Sequence, residues 1–215
     1  MSRVVFLLEE PSMKVLLDGL LPRLFPGLPF WCIAHEGKSD LELSIPRKLR
    51  AWREPGVRFV VIRDNDGGDC RGLKAALRGL CEAGGRDDVL VRIACQELEA
   101  WYLGEPDALA EAFDMEKLRA LGGRAKFRDP DAVQKPSVVI GRLIPSFQKV
   151  SGARRLARYL TRERNRSTSF QALMEGLEPL AAALSAGGEG RVSCVDTVFP
   201  VKPVGHNQLG KVDGF

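Results

Sequence analysis

The sequence contains no long hydrophobic run, and no stretch approaches the roughly 20 apolar residues of a membrane-spanning helix. Its first residues, Met1 to Glu9, meet charge too early for a signal peptide, so we expect a cytoplasmic protein. The sequence also lacks internal repeats and any Cys-x-x-Cys pair. Its five cysteines are odd in number and widely spaced, which argues against a structural zinc site and a disulfide framework. They are Cys32, Cys70, Cys81, Cys95 and Cys194.

The overall composition is that of an ordinary globular protein, with 45% hydrophobic and 28% charged residues among 215. The net charge of +4 is unevenly distributed. Residues 1–118 carry 16 basic and 20 acidic side chains, a net of −4, whereas residues 119–166 carry 13 and 3, a net of +10. This arrangement suits a metal-using protein that acts on a polyanion. The alternative is that the basic side chains are simply solvated helix faces.

Short apolar runs alternate with helical periodicity through the first hundred residues. They predict strands at Val4–Leu8, at Phe30–Ala34, from Val57 to the turn at Asp64, and at Val89–Cys95. Such alternation is typical of an α/β fold with a largely parallel sheet flanked by helices. We predict this domain over residues 1–104, a basic helical subdomain packed on it over 105–188, and an extension of unknown role over 189–215.

Local signals predict where the helices lie. Ser12, Ser44 and Asp69 are the expected N-caps of the first three helices, with Pro46 in the first turn of the second. The second half predicts helical stretches over 106–113, 115–121 and 170–185, a short helix after Lys135, and an amphipathic helix from Ser151. A strand-like piece follows around Val192–Phe199.

Carboxylates follow three of the predicted strands. Asp64 and Asp66 stand two residues apart in the turn Asp64-Asn65-Asp66-Gly67-Gly68, and like charges this close repel unless a cation or a shared proton compensates. Oxygen ligands of this kind suit Mg²⁺ or Mn²⁺. A merely solvated turn is the alternative.

The other two strand ends bring further acids. Glu9 follows the first strand, and Glu97 and Glu99 follow the fourth. Glu97 and Glu99 point to different sides, so we expect one of them to face the site. If the strands are parallel with right-handed crossovers, all these ends meet at one edge of the sheet.

Basic residues provide candidate contacts to phosphate. Lys38 and His35 follow the second strand, and Lys135, expected to be extended because it precedes Pro136, is placed to reach a scissile phosphate. For each of the three, a scaffolding or solvated role is the alternative. Four arginines on the predicted helix from Ser151 form a row that would neutralise backbone phosphates in a salt-dependent manner. They are Arg154, Arg155, Arg158 and Arg162.

The strand-end Glu, the later Asp-x-Asp and the α/β alternation together resemble the Toprim domain of topoisomerases, primases and OLD-type nucleases. Within that group the chain most resembles a domain-of-unknown-function family related to RloB, found beside ABC-type ATPases in bacterial mobile-element defence. The motifs that carry this likeness lie within roughly residues 3–180: His35-Glu36-Gly37-Lys38, Arg63-Asp64-Asn65-Asp66 with Asp69-Cys70, Glu97-Leu98-Glu99-Ala100-Trp101-Tyr102-Leu103, Lys135-Pro136-Ser137 and Ser169-Phe170.

The resemblance implies a Toprim-like (Rossmann-like) fold and roles for several acids. Glu9 would act as general acid/base or position the metal, Asp64 and Asp66 would hold Mg²⁺, and Glu99 would be a further acid. Asp69 would be either a ligand or only a helix cap. The common Toprim Glu is followed by Gly, whereas Glu10-Pro11 follows here. Either Glu10 is the working residue, or the site is degenerate and serves binding only.

We therefore predict an Mg²⁺-dependent nuclease that cleaves phosphodiester bonds in DNA or RNA, with an ABC-type ATPase as partner in a defence system. The metal would stabilise charge on the scissile phosphate while Glu9 or a metal-bound water handles the proton. The alternative is a non-catalytic partner subunit of the ATPase with a vestigial acidic site. The sequence leaves open DNA or RNA, and one metal or two.

Overall fold

A computed structural model describes residues 2–186 of the chain. Its four strands are β1 Val4–Leu8, β2 Phe30–Ala34, β3 Arg58–Asp64 and β4 Leu90–Ala94. They form one parallel sheet in the order β2-β1-β3-β4. The predicted α/β class with a parallel sheet is confirmed, and the predicted bounds of the first two strands are correct.

The register of the sheet brings the strand ends to one edge. Leu8, the last residue of β1, lies beside Ala34 of β2 and Ile62 of β3. Asp64, the last residue of β3, lies beside Ala94 of β4. Whatever follows each strand therefore starts at the same edge, which is where open parallel sheets bind their ligands.

Eight α-helices cover the two faces of the sheet within the described residues. They are α1 Pro11–Leu24, α2 Lys38–Ala51, α3 Cys70–Ala83, α4 Glu99–Leu103, α5 Pro106–Phe113, α6 Pro136–Leu143, α7 Lys149–Leu156 and α8 Thr168–Ala186, with 3₁₀ turns at Glu116–Gly123, Ala125–Phe127 and Pro130–Ala132. Alternate side chains of β1 enter two different apolar cores, one on each face of the sheet. One core packs under α2 and α3, and the other packs under α1 and α4 to α8.

Two of the three predicted N-caps are wrong. Helix α1 begins at Pro11 with Glu10 as N-cap, and the Ser12 hydroxyl donates to the Glu10 carboxylate. Helix α2 begins at Lys38 with Gly37 as N-cap, so Ser44 and Pro46 lie inside the helix, and the Ser44 hydroxyl contacts His35 instead. Asp69 is the N-cap of α3, as predicted, and accepts two backbone N–H hydrogen bonds at 2.9 Å.

The helical second half differs from prediction mainly in α7. The predicted stretch at 106–113 matches α5, the stretch over 115–121 forms a 3₁₀ helix, and the last helix is longer than predicted. Helix α7 runs only from Lys149 to Leu156, so Arg158 and Arg162 lie in turns beyond it. Both halves contribute to the larger core. The predicted strand at Val192–Phe199 lies outside the described residues, and no helix within residues 2–186 has the length and apolarity to cross a bilayer.

Candidate active site at the carboxyl edge of the sheet

Glu9 and Asp64 form the centre of the candidate site. Glu9 follows β1, and its Oε2 accepts a 3.0 Å hydrogen bond from the backbone N–H of Asp64 at the end of β3. The Arg63 Nε lies 3.8 Å from the same oxygen, and its Nη1 donates to Glu42. Because β1 and β3 are adjacent, this bond follows directly from the sheet order.

Asp64 and Glu99 are buried carboxyl groups, 5% and 1% exposed. Desolvation, followed by repulsion from Glu9 and Glu10, raises the pKa of Asp64 well above its usual range. Burial also raises the pKa of Glu99 from 4.5 to about 7, although the Lys149 ammonium opposes this rise. The pKa of Glu9 is raised as well, chiefly by burial. Ionised carboxylates are thus costly here unless a cation joins them.

Three buried oxygen atoms in this region have no hydrogen-bond partner. They are Asp64 Oδ1, Glu99 Oε2 and the Tyr102 hydroxyl. Burial, followed by the charges of Glu99, Glu10 and Asp64, raises the pKa of Tyr102, so its hydroxyl lies near these acids. Buried polar atoms are nearly always satisfied in folded proteins, and exceptions concentrate at functional sites. We name Glu9, Asp64 and Glu99 the carboxylate cluster.

Lys149 is a member of the site that sequence reasoning missed. It is the first residue of α7, and its Nζ lies 3.0 Å from Glu10 Oε2. Burial lowers its pKa, but Glu99, Glu10 and Asp64 outweigh this and raise it. No local motif marks this lysine, since it was visible only as one member of the basic block at 119–166.

Asp66 and Lys38 lie at the rim of the site. The Asp66 backbone is left-handed, with φ 49°, and its N–H donates a 2.9 Å bond to the carbonyl of Gln96. Its carboxylate is half exposed and lies 3.7 Å from Lys38 Nζ. Its charge raises the pKa of Glu9, which places it near the carboxylate cluster.

Several predicted site residues have structural contacts instead. His35 is buried, with Nδ1 at 2.8 Å from the Leu8 carbonyl and Nε2 at 2.7 Å from Ser44 Oγ, so neither ring nitrogen is left for a metal or a phosphate. Glu97 Oε2 accepts the Ser137 N–H at 2.7 Å and thereby caps α6. Of the two glutamates after β4, Glu99 is therefore the one in the cluster.

The conformation predicted for Lys135 is wrong. Its backbone is left-handed, with φ 49° and ψ 62°, rather than extended. This left-handed residue directly precedes α6, in which the Ser137 N–H donates to the Glu97 carboxylate. The Lys135 side chain is exposed. Its role as a catalytic residue stays a prediction.

The predicted row of arginines does not form one helical face. Arg154 and Arg155 are exposed on α7, and the Arg155 guanidinium lies 5.5 Å from the centre of the Phe113 ring. Arg158 lies in the turn after α7, and Arg162, further along, pairs with Glu178.

Motif residues after the cluster hold the helices together. Ser169 Oγ accepts a 2.9 Å bond from the Trp101 indole N–H and a 3.3 Å bond from the Cys95 N–H. Asp131 accepts the Ser169 N–H at 2.7 Å. These bonds connect α4, which begins at Glu99, to the start of α8.

The chemistry of the donor set fits a hard divalent cation. Carboxylate oxygens are preferred by Mg²⁺ and Mn²⁺, and two buried oxygens of the cluster lack partners. Within residues 2–186, however, no three Asp, Glu, His or Cys side chains are already arranged around a metal position. Glu9, Asp64 and Glu99 are the residues that would hold the ion.

Fold and site together define an α/β protein with a buried carboxylate cluster at the carboxyl edge of a parallel sheet. The chain belongs to the family described as Domain of unknown function (DUF4276), whose model matches residues 8–178. No curated protein is significantly similar to it in sequence.

Among solved structures, the fold is similar to the C-terminal region of the Xanthomonas campestris pv. campestris OLD protein. The TM-score is 0.52 at 16% identity, covering 86% of this chain and 98% of that one. The C-terminal region of the Burkholderia pseudomallei OLD protein gives 0.50 at 18% identity, covering 84% and 99%. At these identities the likeness establishes a shared fold.

Proposed function

We propose that this protein is a metal-dependent phosphodiesterase that cleaves nucleic acid. The observation that carries the proposal is the pair of buried carboxyl groups, Asp64 and Glu99, each with an unpartnered oxygen, beside Glu9 at a ligand-binding edge. The likeness in fold to the C-terminal regions of OLD proteins supports it. An ABC-type ATPase partner and a role in defence are parts of the same proposal and rest on the sequence resemblance.

In this reading Glu9, Asp64 and Glu99 hold Mg²⁺ or Mn²⁺. The bound ion would supply charge stabilisation at the scissile phosphate and lower the pKa of a bound water. Lys149, whose Nζ lies 3.0 Å from Glu10, is the cation that would contact a phosphate oxygen. Glu10 lies at the rim and keeps Lys149 directed at the cluster. A pKa of about 7 makes Glu99 suited to accept or return a proton near neutral pH, and Glu9, whose pKa is also raised by burial, is the second candidate for this role.

A second candidate is a non-catalytic subunit that docks on an ATPase and retains only a vestigial acidic site. Arg63 lies 3.8 Å from Glu9, and Lys149 lies 3.0 Å from Glu10. In a vestigial site, such cations would neutralise the acids in place of a metal. The lack of a ready-made three-ligand group within residues 2–186 also favours it.

Thermal melts in MgCl₂, MnCl₂ and EDTA separate the two candidates. A metal that binds only the native state raises the melting temperature. We expect such a rise in the wild type and none in Asp64→Asn. Because the pKa of Asp64 is raised, its neutral form is favoured in the folded state, and Asp64→Asn should be at least as stable as wild type in EDTA.

Asp69→Asn is the matched control. Asn caps helices about as well as Asp, so this variant should keep both its stability and its metal response. Loss of the metal response in Asp69→Asn would instead make Asp69 a ligand. Metal-dependent cleavage of labelled DNA and RNA is then measured on all three proteins. No metal response and no cleavage in the wild type would overturn the enzyme proposal in favour of the subunit.

A further inference from the structure

Three basic side chains lie along one face of α3. Arg71, Lys74 and Arg78 follow one another at spacings of three and four residues, which places them on the same side of the helix. Arg71 and Arg78 are exposed, and Lys74 is half-buried. They extend over about 10 Å of the helix axis. We name these three residues the α3 basic face.

The α3 basic face lacks acidic partners within the described chain, since none of its three side chains forms an ion pair there. Some other surface arginines do have acidic partners, such as Arg58 with Asp88 at 2.9 Å. Arg164 similarly pairs with Glu105 at 2.9 Å. The charges of the α3 basic face are therefore free to attract an external anion.

Arg92 of β4 adds positive charge beside this face, and its guanidinium donates hydrogen bonds to the carbonyls of Ala172 and Val91. Burial, followed by repulsion from Arg92 and Arg78, lowers the pKa of Lys74. This direction is expected where like charges crowd together. Two acids border the region: Glu82 in the last turn of α3, and Glu175 of α8, whose charge acts on Arg92.

The position of the α3 basic face relates it to the carboxylate cluster. A depression of about 410 Å³ is lined by Arg71, Lys74, Ala75, Arg78 and Glu82. Helix α3 begins at Cys70, directly after the loop that carries Asp66, so its basic face starts at the carboxyl edge of the sheet. An extended polyanion lying along α3 would have one end at that edge.

We infer that the α3 basic face binds the backbone of the nucleic acid and leads it to the carboxylate cluster, while Arg92 adds to the positive field. The inference deepens the proposed function and rests on it for the kind of ligand. Contacts of this kind go to phosphates, so binding is independent of base sequence and strongly dependent on salt. The sequence predicts the same role for the arginines on and after α7, and the test below compares the two sets.

Binding is measured by fluorescence anisotropy in EDTA, with fluorescein-labelled single-stranded DNA, duplex DNA and single-stranded RNA, from about 50 to 200 mM KCl. The test variant is Arg71→Gln/Lys74→Gln/Arg78→Gln. The matched variant Arg154→Gln/Arg155→Gln/Arg158→Gln removes the same charge from exposed positions on and after α7. Circular dichroism melts check that both variants remain folded.

We expect the α3 variant to bind at least about tenfold more weakly, and its slope of log K against log salt to fall by about 2 to 3. The α7 variant should stay within about threefold of wild type. An equal or greater loss in the α7 variant would overturn the inference. So would unchanged binding in the α3 variant, or a wild type that binds none of the three probes.

The binding assay and the cleavage assay can fail independently of each other. Binding is measured in EDTA, so its result does not depend on whether the protein hydrolyses the nucleic acid. Binding that depends on the α3 basic face without any cleavage would leave the inference standing and overturn the proposed enzyme. Metal-dependent cleavage that is equally fast in the α3 variant and the wild type would overturn the inference alone.

Discussion

The Asp64 backbone N–H donates a 3.0 Å hydrogen bond to Glu9 Oε2. This bond links the ends of two adjacent parallel strands, β1 and β3. It holds the Glu9 carboxylate beside the turn that carries Asp64 and Asp66, and Arg63 Nε, 3.8 Å away, stabilises the negative charge of that carboxylate. Glu9 thus has two separable roles, as a backbone acceptor and as a member of the carboxylate cluster.

Substitutions at Glu9 should separate these two roles. Glu9→Gln keeps an oxygen acceptor for the Asp64 N–H, so its free energy of unfolding in EDTA should stay within about 1 kcal/mol of wild type. Glu9→Ala leaves that N–H without its partner and should cost about 1–3 kcal/mol. Both variants should lose the Mg²⁺-dependent rise in melting temperature. If Glu9→Gln retains the full rise, Glu9 is not a ligand.

The pH dependence of stability should report Glu99. Its pKa is about 7 in the folded protein, against an ordinary 4.5. The folded state therefore binds the proton more tightly than the unfolded state, and stability falls as pH rises from about 4.5 through about 7. Glu99→Gln abolishes this loss, so in EDTA it should be more stable than wild type at pH 8 by up to about 3 kcal/mol.

At pH 4 to 4.5 the wild-type Glu99 is protonated in the folded state and at least half protonated in the unfolded state, so the two proteins should differ in stability by less than about 0.5 kcal/mol and unfold at similar urea concentrations. Urea titrations at both pH values supply the measurement. A gain in Glu99→Gln that is the same at both pH values would show that the variant acts through packing and not through the carboxylate charge.

Lys149 should compete with a metal for the same carboxylates. Lys149→Met removes the 3.0 Å ion pair with Glu10 and the attraction to Glu99 and Asp64. The repulsion left within the cluster should make the variant less stable in EDTA and increase its stabilisation by Mg²⁺. Thermal melts over a range of MgCl₂ concentrations measure both effects.

Arg154→Met provides the control for this substitution, since Arg154 is an exposed cation on the same helix. It should match the wild type in EDTA and in MgCl₂. If the metal response of Lys149→Met equals that of wild type, Lys149 does not compete with the metal for the carboxylates.

His35 should behave as a structural residue. Its two ring nitrogens contact the Leu8 carbonyl at 2.8 Å and Ser44 Oγ at 2.7 Å, and thereby fix the middle of α2 against the end of β1. His35→Ala should lower the free energy of unfolding by about 1–3 kcal/mol. Its metal-dependent rise in melting temperature should match that of wild type, and a lost rise in a folded variant would restore His35 as a site residue.

Much of the fold could be predicted from short-range patterns. The apolar runs of β1 and β2 gave correct strand bounds, and Asp69 was recognised as a cap because its contacts reach only to Arg71 and Gly72. Ser12 and Ser44 failed as caps for a different reason. Their hydroxyls bond to the side chains of Glu10 and His35, and local preference does not reveal such partners.

By itself, the sequence determined the parallel sheet and the acids that follow its strands, because hydrophobic periodicity and turn chemistry act over a few residues. Tertiary structure decided which acids enter the cluster. Glu99 is buried while Glu97 caps α6, a choice made by the packing of α6 against α4. Tertiary structure also placed Lys149 against Glu10, 139 residues earlier in the chain. That contact depends on α7 packing against α1, and no short-range signal encodes the pairing of two distant helices.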